Sequence, residues 1–181
     1  MKSYLLLLFA SLLSASSYAQ TYQPVDAGSK IHFVIKNFAI NTGGDFTGLK
    51  GAIQFDPAQL AQASFDVSVD ASSVDTDSKM RDEHLRESDY FDAEKYPTLR
   101  FRSTKVVLSS RAGRYYMFGE LTIKGVTKPV EFGFSATQQG EEMVFDGSFK
   151  INRRDYNVGE KSISLSDDVK VQLLVKARKA Q

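Results

Sequence analysis

Apolar and polar residues alternate along most of this chain, and the alternation stops once. From Ala63 to Ala71, Phe65, Val67, Val69 and Ala71 alternate with Ser64, Asp66, Ser68 and Asp70. Successive strand side chains point to opposite faces, so this pattern predicts a strand with one buried and one wet face. Ser29 to Phe38 repeats it, with Ile31, Phe33 and Ile35 set against Lys30, His32 and Lys36. Further strands are predicted over 46–56, 98–108, 115–124, 130–136, 143–151 and 169–177. Pro24 to Gly28 reads as a lead-in, Asn41 to Gly44 as a turn, and Asn152 to Ser166 as a long polar loop. Eight strands with mostly short connections imply antiparallel neighbours. Gly48 and Gly51 interrupt the second strand, as bends do where a sheet curls. The pattern alone leaves barrel and sandwich both open.

The interruption runs from Ser72 to Phe101. Asp75, Thr76, Asp77 and Ser78 offer side-chain oxygens for a helix start. Residues 78–88 lack Gly and Pro and are mostly good helix formers. Met80 and Leu85 are their only apolar members, too few for a core helix. Tyr90, Phe91, Tyr96 and Pro97 follow as an aromatic anchor. One helical excursion between strands 3 and 4 of an all-β chain suits the cover of an opening or an edge.

Composition narrows the setting. At 181 residues and 42% hydrophobic, the chain is long enough for one domain with a real core. Its formal charge is +1, with both signs interspersed, which argues against a nucleic-acid partner. There are 13 Phe and no Trp, so Phe is the main bulky residue of the interior. Met1-Lys2, the apolar run Tyr4–Leu13 and Ser17-Tyr18-Ala19 read as a signal peptide over residues 1–19, cleaved near Ala19-Gln20. The run is short for a membrane span, so no stable membrane anchor is expected. Residues 20–181 then form a single periplasmic or secreted domain. With no Cys, disulfides and thiolate chemistry are excluded.

Candidate chemistry is sparse. His32 and His84 are the only histidines; His32 falls on the outer face, and His84 is placed to bond Asp82 or backbone. Neither shares a metal-ligand spacing, so no metal and no cofactor are expected. Asp75, Asp77, Asp82, Glu83 and Asp89 match no calcium loop. No nucleophile elbow, phosphate loop or dinucleotide fingerprint is present, so the chain does not read as an enzyme. Arg100, Arg102, Arg153 and Arg154 could meet a phosphate head group, or pair with nearby carboxylates.

Three stretches carry a family resemblance: Asp75-Thr76 with Arg81-Asp82, His84-Leu85, Asp89-Tyr90-Phe91-Asp92, Tyr96-Pro97 and Phe101; Gly119–Val130; and Ile151–Tyr156. In these the chain resembles the YceI-like, polyisoprenoid-binding family. The resemblance implies an eight-stranded antiparallel lipocalin-like barrel; the helical insertion would then sit at or beside its mouth, as gate or as plug. It also implies a long-chain lipid, such as an isoprenoid quinone or precursor, in the barrel interior. The candidate cavity residues are Phe33, Phe55, Phe65, Met80, Leu85, Phe91, Phe101, Met117, Leu121, Phe132, Phe134, Phe145 and Phe149. Small inward positions at Ala71, Gly119, Gly147 and Ala177 leave room between them. Each buried methylene contributes about 0.8 kcal/mol, so a chain of about twenty carbons has on the order of 15 kcal/mol to draw on. Chain ordering and imperfect fit reduce that figure. The alternatives are a filled barrel serving as a protein-binding or stress-response module, and an enzyme on an apolar substrate. Edge strands near 38–44 and 152–168 are where a homodimer could form.

Overall fold

The computed structural model describes residues 20–180; the expected signal peptide, residues 1–19, lies outside the described residues. Nine strands form one sheet: β1 (Thr21–Asn37), β2 (Ile40–Phe46), β3 (Lys50–Gln54), β4 (Ser64–Asp70), β5 (Thr98–Leu108), β6 (Arg114–Ile123), β7 (Val126–Gln139), β8 (Glu142–Asn152) and β9 (Leu165–Lys179). Among the described residues the one α-helix is α1 (Lys79–Arg86), between β4 and β5. β2 pairs with the end of β1 and β3 with its start, so the two form one interrupted stave. β9 pairs with β1 and closes the sheet. The result is an eight-stave antiparallel barrel with a helical insertion.

Two stretches expected outside strands lie within them. Pro24–Gly28 is no lead-in, because Tyr22–Val25 already pair with Lys176–Lys179. The register then slips, and Lys30 opposes Leu174. Asn41–Gly44 is strand rather than turn, since Phe38 and Ala39 make the turn, with φ of 46° and 65°. Gly43 and Gly44 serve close packing. A Cβ on Gly43 would lie 2.8 Å from the His32 ring, and one on Gly44 would lie 2.7 Å from the Phe33 ring.

The break between β2 and β3 leaves backbone donors that need partners. Asp26, in the β1 bulge, accepts them: its carboxylate takes the Gly48 N–H at 3.1 Å and the Leu49 N–H at 2.8 Å. The freed edge of β2 is met by the insertion, where Asp45 and Asp75 exchange backbone hydrogen bonds of 2.8 and 3.1 Å. The barrel therefore has two unlike ends. The β3–β4, β5–β6 and β7–β8 connections lie at one; the β1–β2 turn, the α1 insertion, the β6–β7 turn and the β8–β9 connection lie at the other.

Candidate functional site

The first of these ends is packed solid. Phe55 turns inward just after β3, where its N–H donates to the Gln20 carbonyl at 3.0 Å, and it is 1% exposed. Its ring meets Phe65, Tyr115, Phe134 and Phe145 at centroid distances of 6.1, 5.2, 6.1 and 5.4 Å. Edge-to-face contacts of this kind add to the burial of the rings. Met117 and Met143 fill the remaining space.

The other end is hollow. A cavity of about 350 Å³ lies between the walls there. Phe33, Leu85, Phe91, Phe101, Leu121, Phe132 and Phe149 line it, together with aliphatic residues of β1, β4, β5, β6, β8 and β9. Inward-facing Phe33, Phe101, Phe149, Val171 and Leu173 are only half-buried, because they border open space rather than packed atoms. Gly119 shapes the wall, since a Cβ there would collide with the Phe101 ring. Phe132 and Phe149 stack at 4.8 Å along one side.

The expected cavity residues thus divide. Seven border the cavity, while Phe55, Phe65, Met117, Phe134 and Phe145 pack in the solid end. Met80 stands outside, 80% exposed. The reason is helical geometry: α1 turns Asp82 and Leu85 toward the barrel, and a residue two positions before Asp82 lies on the opposite face. Ile31, Ile35, Phe46, Leu99 and the β9 series Val169, Val171, Leu173 and Val175 also line the cavity. The strict alternation of β9 was the signal for its four residues.

Polar side chains gather where the cavity opens. Asn37, Thr42, Thr76, Arg81, His84 and Tyr90 border it there. The buried Asp82 carboxylate accepts the Thr76 N–H at 2.8 Å and the Thr76 hydroxyl at 2.5 Å. Arg81 in turn donates to the Thr76 hydroxyl oxygen at 2.8 Å and the Thr76 carbonyl at 2.6 Å. The helix start is therefore organised by Asp82 reaching back to Thr76; Ser78 makes no side-chain cap. His84 bonds Glu87 at 3.1 Å rather than Asp82, and its ring meets Tyr90 at 4.8 Å. The Gly159 N–H donates to the Asp89 carbonyl at 2.8 Å, tying the insertion to the β8–β9 connection.

That connection is fixed from within by Arg153, 4% exposed. Its guanidinium donates to the carbonyls of Ser166 and Val158, each at 2.9 Å, and to Asp167 at 2.9 Å. Asn152 caps the following turn by accepting the Arg154 N–H at 2.9 Å. Tyr156 is 2% exposed, and burial pushes its phenol up to about 12, with the Asp155 charge adding to the effect. On the outer wall Arg100 grips Asp66 through two hydrogen bonds of 2.8 and 2.6 Å, which hold that carboxyl below its usual range. Arg102 also approaches Asp66, at 3.6 Å, so both outer arginines have a carboxylate partner. His32 is half-buried and bonds Asp45 at 2.8 Å, so it is no free surface residue. Among the described residues no group of three or more His, Asp and Glu side chains is placed to hold a metal ion. No described helix is long and apolar enough to cross a membrane.

The YceI-like domain model matches residues 22–177, nearly all of the described barrel. The chain belongs to the YceI-like family. It is 34% identical to the protein YceI of Escherichia coli O157:H7 over 170 residues, 87% of each chain. A UPF0312 protein of Photorhabdus laumondii is 34% identical over 158 residues, 82% of this chain and 81% of that one. Among solved structures, Burkholderia cenocepacia BcnA superposes with a TM-score of 0.80 at 30% identity, over 84% of this chain and 98% of that one. A polyisoprenoid binding domain from Saccharophagus degradans shares the fold at a TM-score of 0.71 and 14% identity, over 91% of this chain and all of that one. The YceI-like motif residues now have places: Thr76, Arg81 and Asp82 build the rim of the cavity, and Asn152 and Arg153 fix the facing connection.

Proposed function

We propose that this YceI-like protein holds one long-chain apolar molecule in the hollow half of its barrel and carries it through water. The observation that supports this reading is the cavity itself, about 350 Å³ with a mostly apolar lining and a group of polar side chains at its opening. That volume lies within the roughly 300–1,000 Å³ of small-molecule sites. A cargo with an apolar tail and one polar end fits the distribution, tail inward and head beside Thr42, Arg81 and His84. The cargo class we propose is a polyisoprenoid, such as a quinone or its precursor. The Saccharophagus degradans domain, named for polyisoprenoid binding, is too distant in sequence to argue for more than the fold.

Binding rather than catalysis is the activity. Among the described residues no carboxylate borders the cavity. Arg153 is committed to the loop it holds, and Tyr156 stays neutral at any ordinary pH. We place the protein in the periplasm, or outside the cell, after loss of residues 1–19. α1 gates the cavity, since it lies at the opening with Leu85 against the interior and its start held by the bonds of Arg81 and Asp82 to Thr76. A homodimer would form along β2, the one described strand with a single strand neighbour.

Extraction of the purified protein with organic solvent, followed by mass spectrometry, tests the proposal. An isoprenoid series at about one molecule per chain supports it. A fatty acyl species would replace the cargo class. No extractable molecule, with no uptake of a long-chain quinone on titration, refutes the carrier function.

A further inference from the structure

Six large apolar side chains stand exposed among the described residues: Phe38, Ile40, Met80, Leu108, Tyr116 and Ile163. Three of them meet at one tip. Phe38 and Ile40, 76% and 70% exposed, belong to the β1–β2 turn. Fully exposed Ile163 precedes Ser164, whose carbonyl accepts the Phe38 N–H at 2.9 Å. The same two segments border the cavity opening through Asn37, Thr42 and Leu165.

The turn itself is unusual. A two-residue hairpin with both φ angles positive, 46° at Phe38 and 65° at Ala39, is the geometry that Asn-Gly fits best. A bulky residue in the left-handed region is strained. Such strain clusters at functional surfaces. The fold gains no packing from a phenyl ring that points into solvent. Residues 35–42 and 160–165 together carry Lys36 and Lys161 against the single carboxylate of Glu160. Apolar side chains framed by lysine suit the interface of an anionic bilayer. Three side chains on a convex tip also fall well short of the roughly 800 Å² per partner that a stable protein interface buries.

We propose that the Phe38, Ile40 and Ile163 tip is a docking surface for a lipid bilayer and seats the cavity opening against the membrane. The proposal goes beyond cargo binding, since empty protein docks equally well.

The chain has no Trp, so a single introduced one reports alone. Phe38→Trp and Ile163→Trp proteins are mixed with vesicles of phosphatidylethanolamine and phosphatidylglycerol. The expected result is a blue-shifted emission quenched by brominated acyl chains, with Leu108→Trp, at the solid end, unchanged. The double variant Phe38→Asn, Ala39→Gly supplies the residues the turn prefers, so its unfolding midpoint should not fall, while its partition onto vesicles drops about tenfold or more. Emission that stays unshifted at both tip positions overturns the proposal. So does a double variant that partitions like the parent. A concentration-dependent dimer that the double variant dissolves overturns it too, and assigns the tip to a second copy of the chain.

Discussion

The two ends of the barrel are built from the same alternating strands, yet one is solid and the other hollow. The difference does not lie in the walls, since both ends are rich in phenylalanine. It lies in what the connections push between them. At the solid end Phe55, which is not in a strand, drives its ring among Phe65, Tyr115, Phe134 and Phe145. At the other end the insertion supplies Phe91, which meets Phe46 at 5.3 Å. It lies across the opening and leaves about 350 Å³ beneath it. Eight strands enclose an interior that side chains can just fill or that can hold one small ligand. A plug from a loop decides whether the space becomes core or site.

The largest effect should come from removing the plug. Phe55→Ala should cost about 3–5 kcal/mol in chemical denaturation, the range for a buried aromatic truncated in a packed core. Phe149→Ala, in the cavity wall, should cost well under half of that, because its ring already borders open space. Equal losses would mean that both ends are packed alike. Overfilling should then separate the ends in the opposite sense. Ala177 is fully buried in the solid end, so Ala177→Phe should destabilise by about 3 kcal/mol. Val171→Phe projects into the cavity, and should leave the unfolding midpoint nearly unchanged while it abolishes uptake of a long-chain quinone.

These variants also mark what was legible in the sequence. The alternation of Phe65, Val67 and Val69, and that of Val169 to Ala177, stated which face was inward. It could not state the depth of each residue along the barrel axis, which separates Phe149 in the cavity wall from Phe145 in the core. Phe55 ends a strand pattern, so it read as wall when it is plug. The β1–β2 turn was hidden because Phe-Ala occupies positions where Asn-Gly is the usual signal, and because Gly43 and Gly44 are small for packing reasons. Asp26 gave no signal, since its partners Gly48 and Leu49 are close only once β1 bulges. The rim network was half legible: Thr76, Arg81 and Asp82 stood in the motif, but a helical pattern does not show that Asp82 turns back to Thr76.

A smaller effect concerns the fixed connection beside the cavity. The Tyr156 phenol is raised from 10.0 to about 12, so the folded state favours its neutral form. The stability this contributes is fully present below pH 10 and is lost as pH rises through 12. Tyr156→Phe should remove that pH dependence, on the order of 2 kcal/mol in unfolding free energy between those limits. A parent and variant with parallel curves would contradict the burial argument. The smallest effect belongs to the outer wall. Asp66 is held below its usual range by Arg100, so its contribution is present above the unfolded carboxyl's 3.8 and is lost as pH falls. Because the pair is exposed, Asp66→Asn should cost less than about 1 kcal/mol at neutral pH.

Native mass spectrometry of the detergent-free protein beside its Val171→Phe variant decides whether the hollow half holds the cargo. The parent should carry a long apolar adduct at about one per chain, released on unfolding, and the variant none while it unfolds at the same denaturant concentration. An adduct retained equally by both, or absent from the parent even after incubation with a long-chain quinone, would contradict the assignment of the hollow half as the binding site.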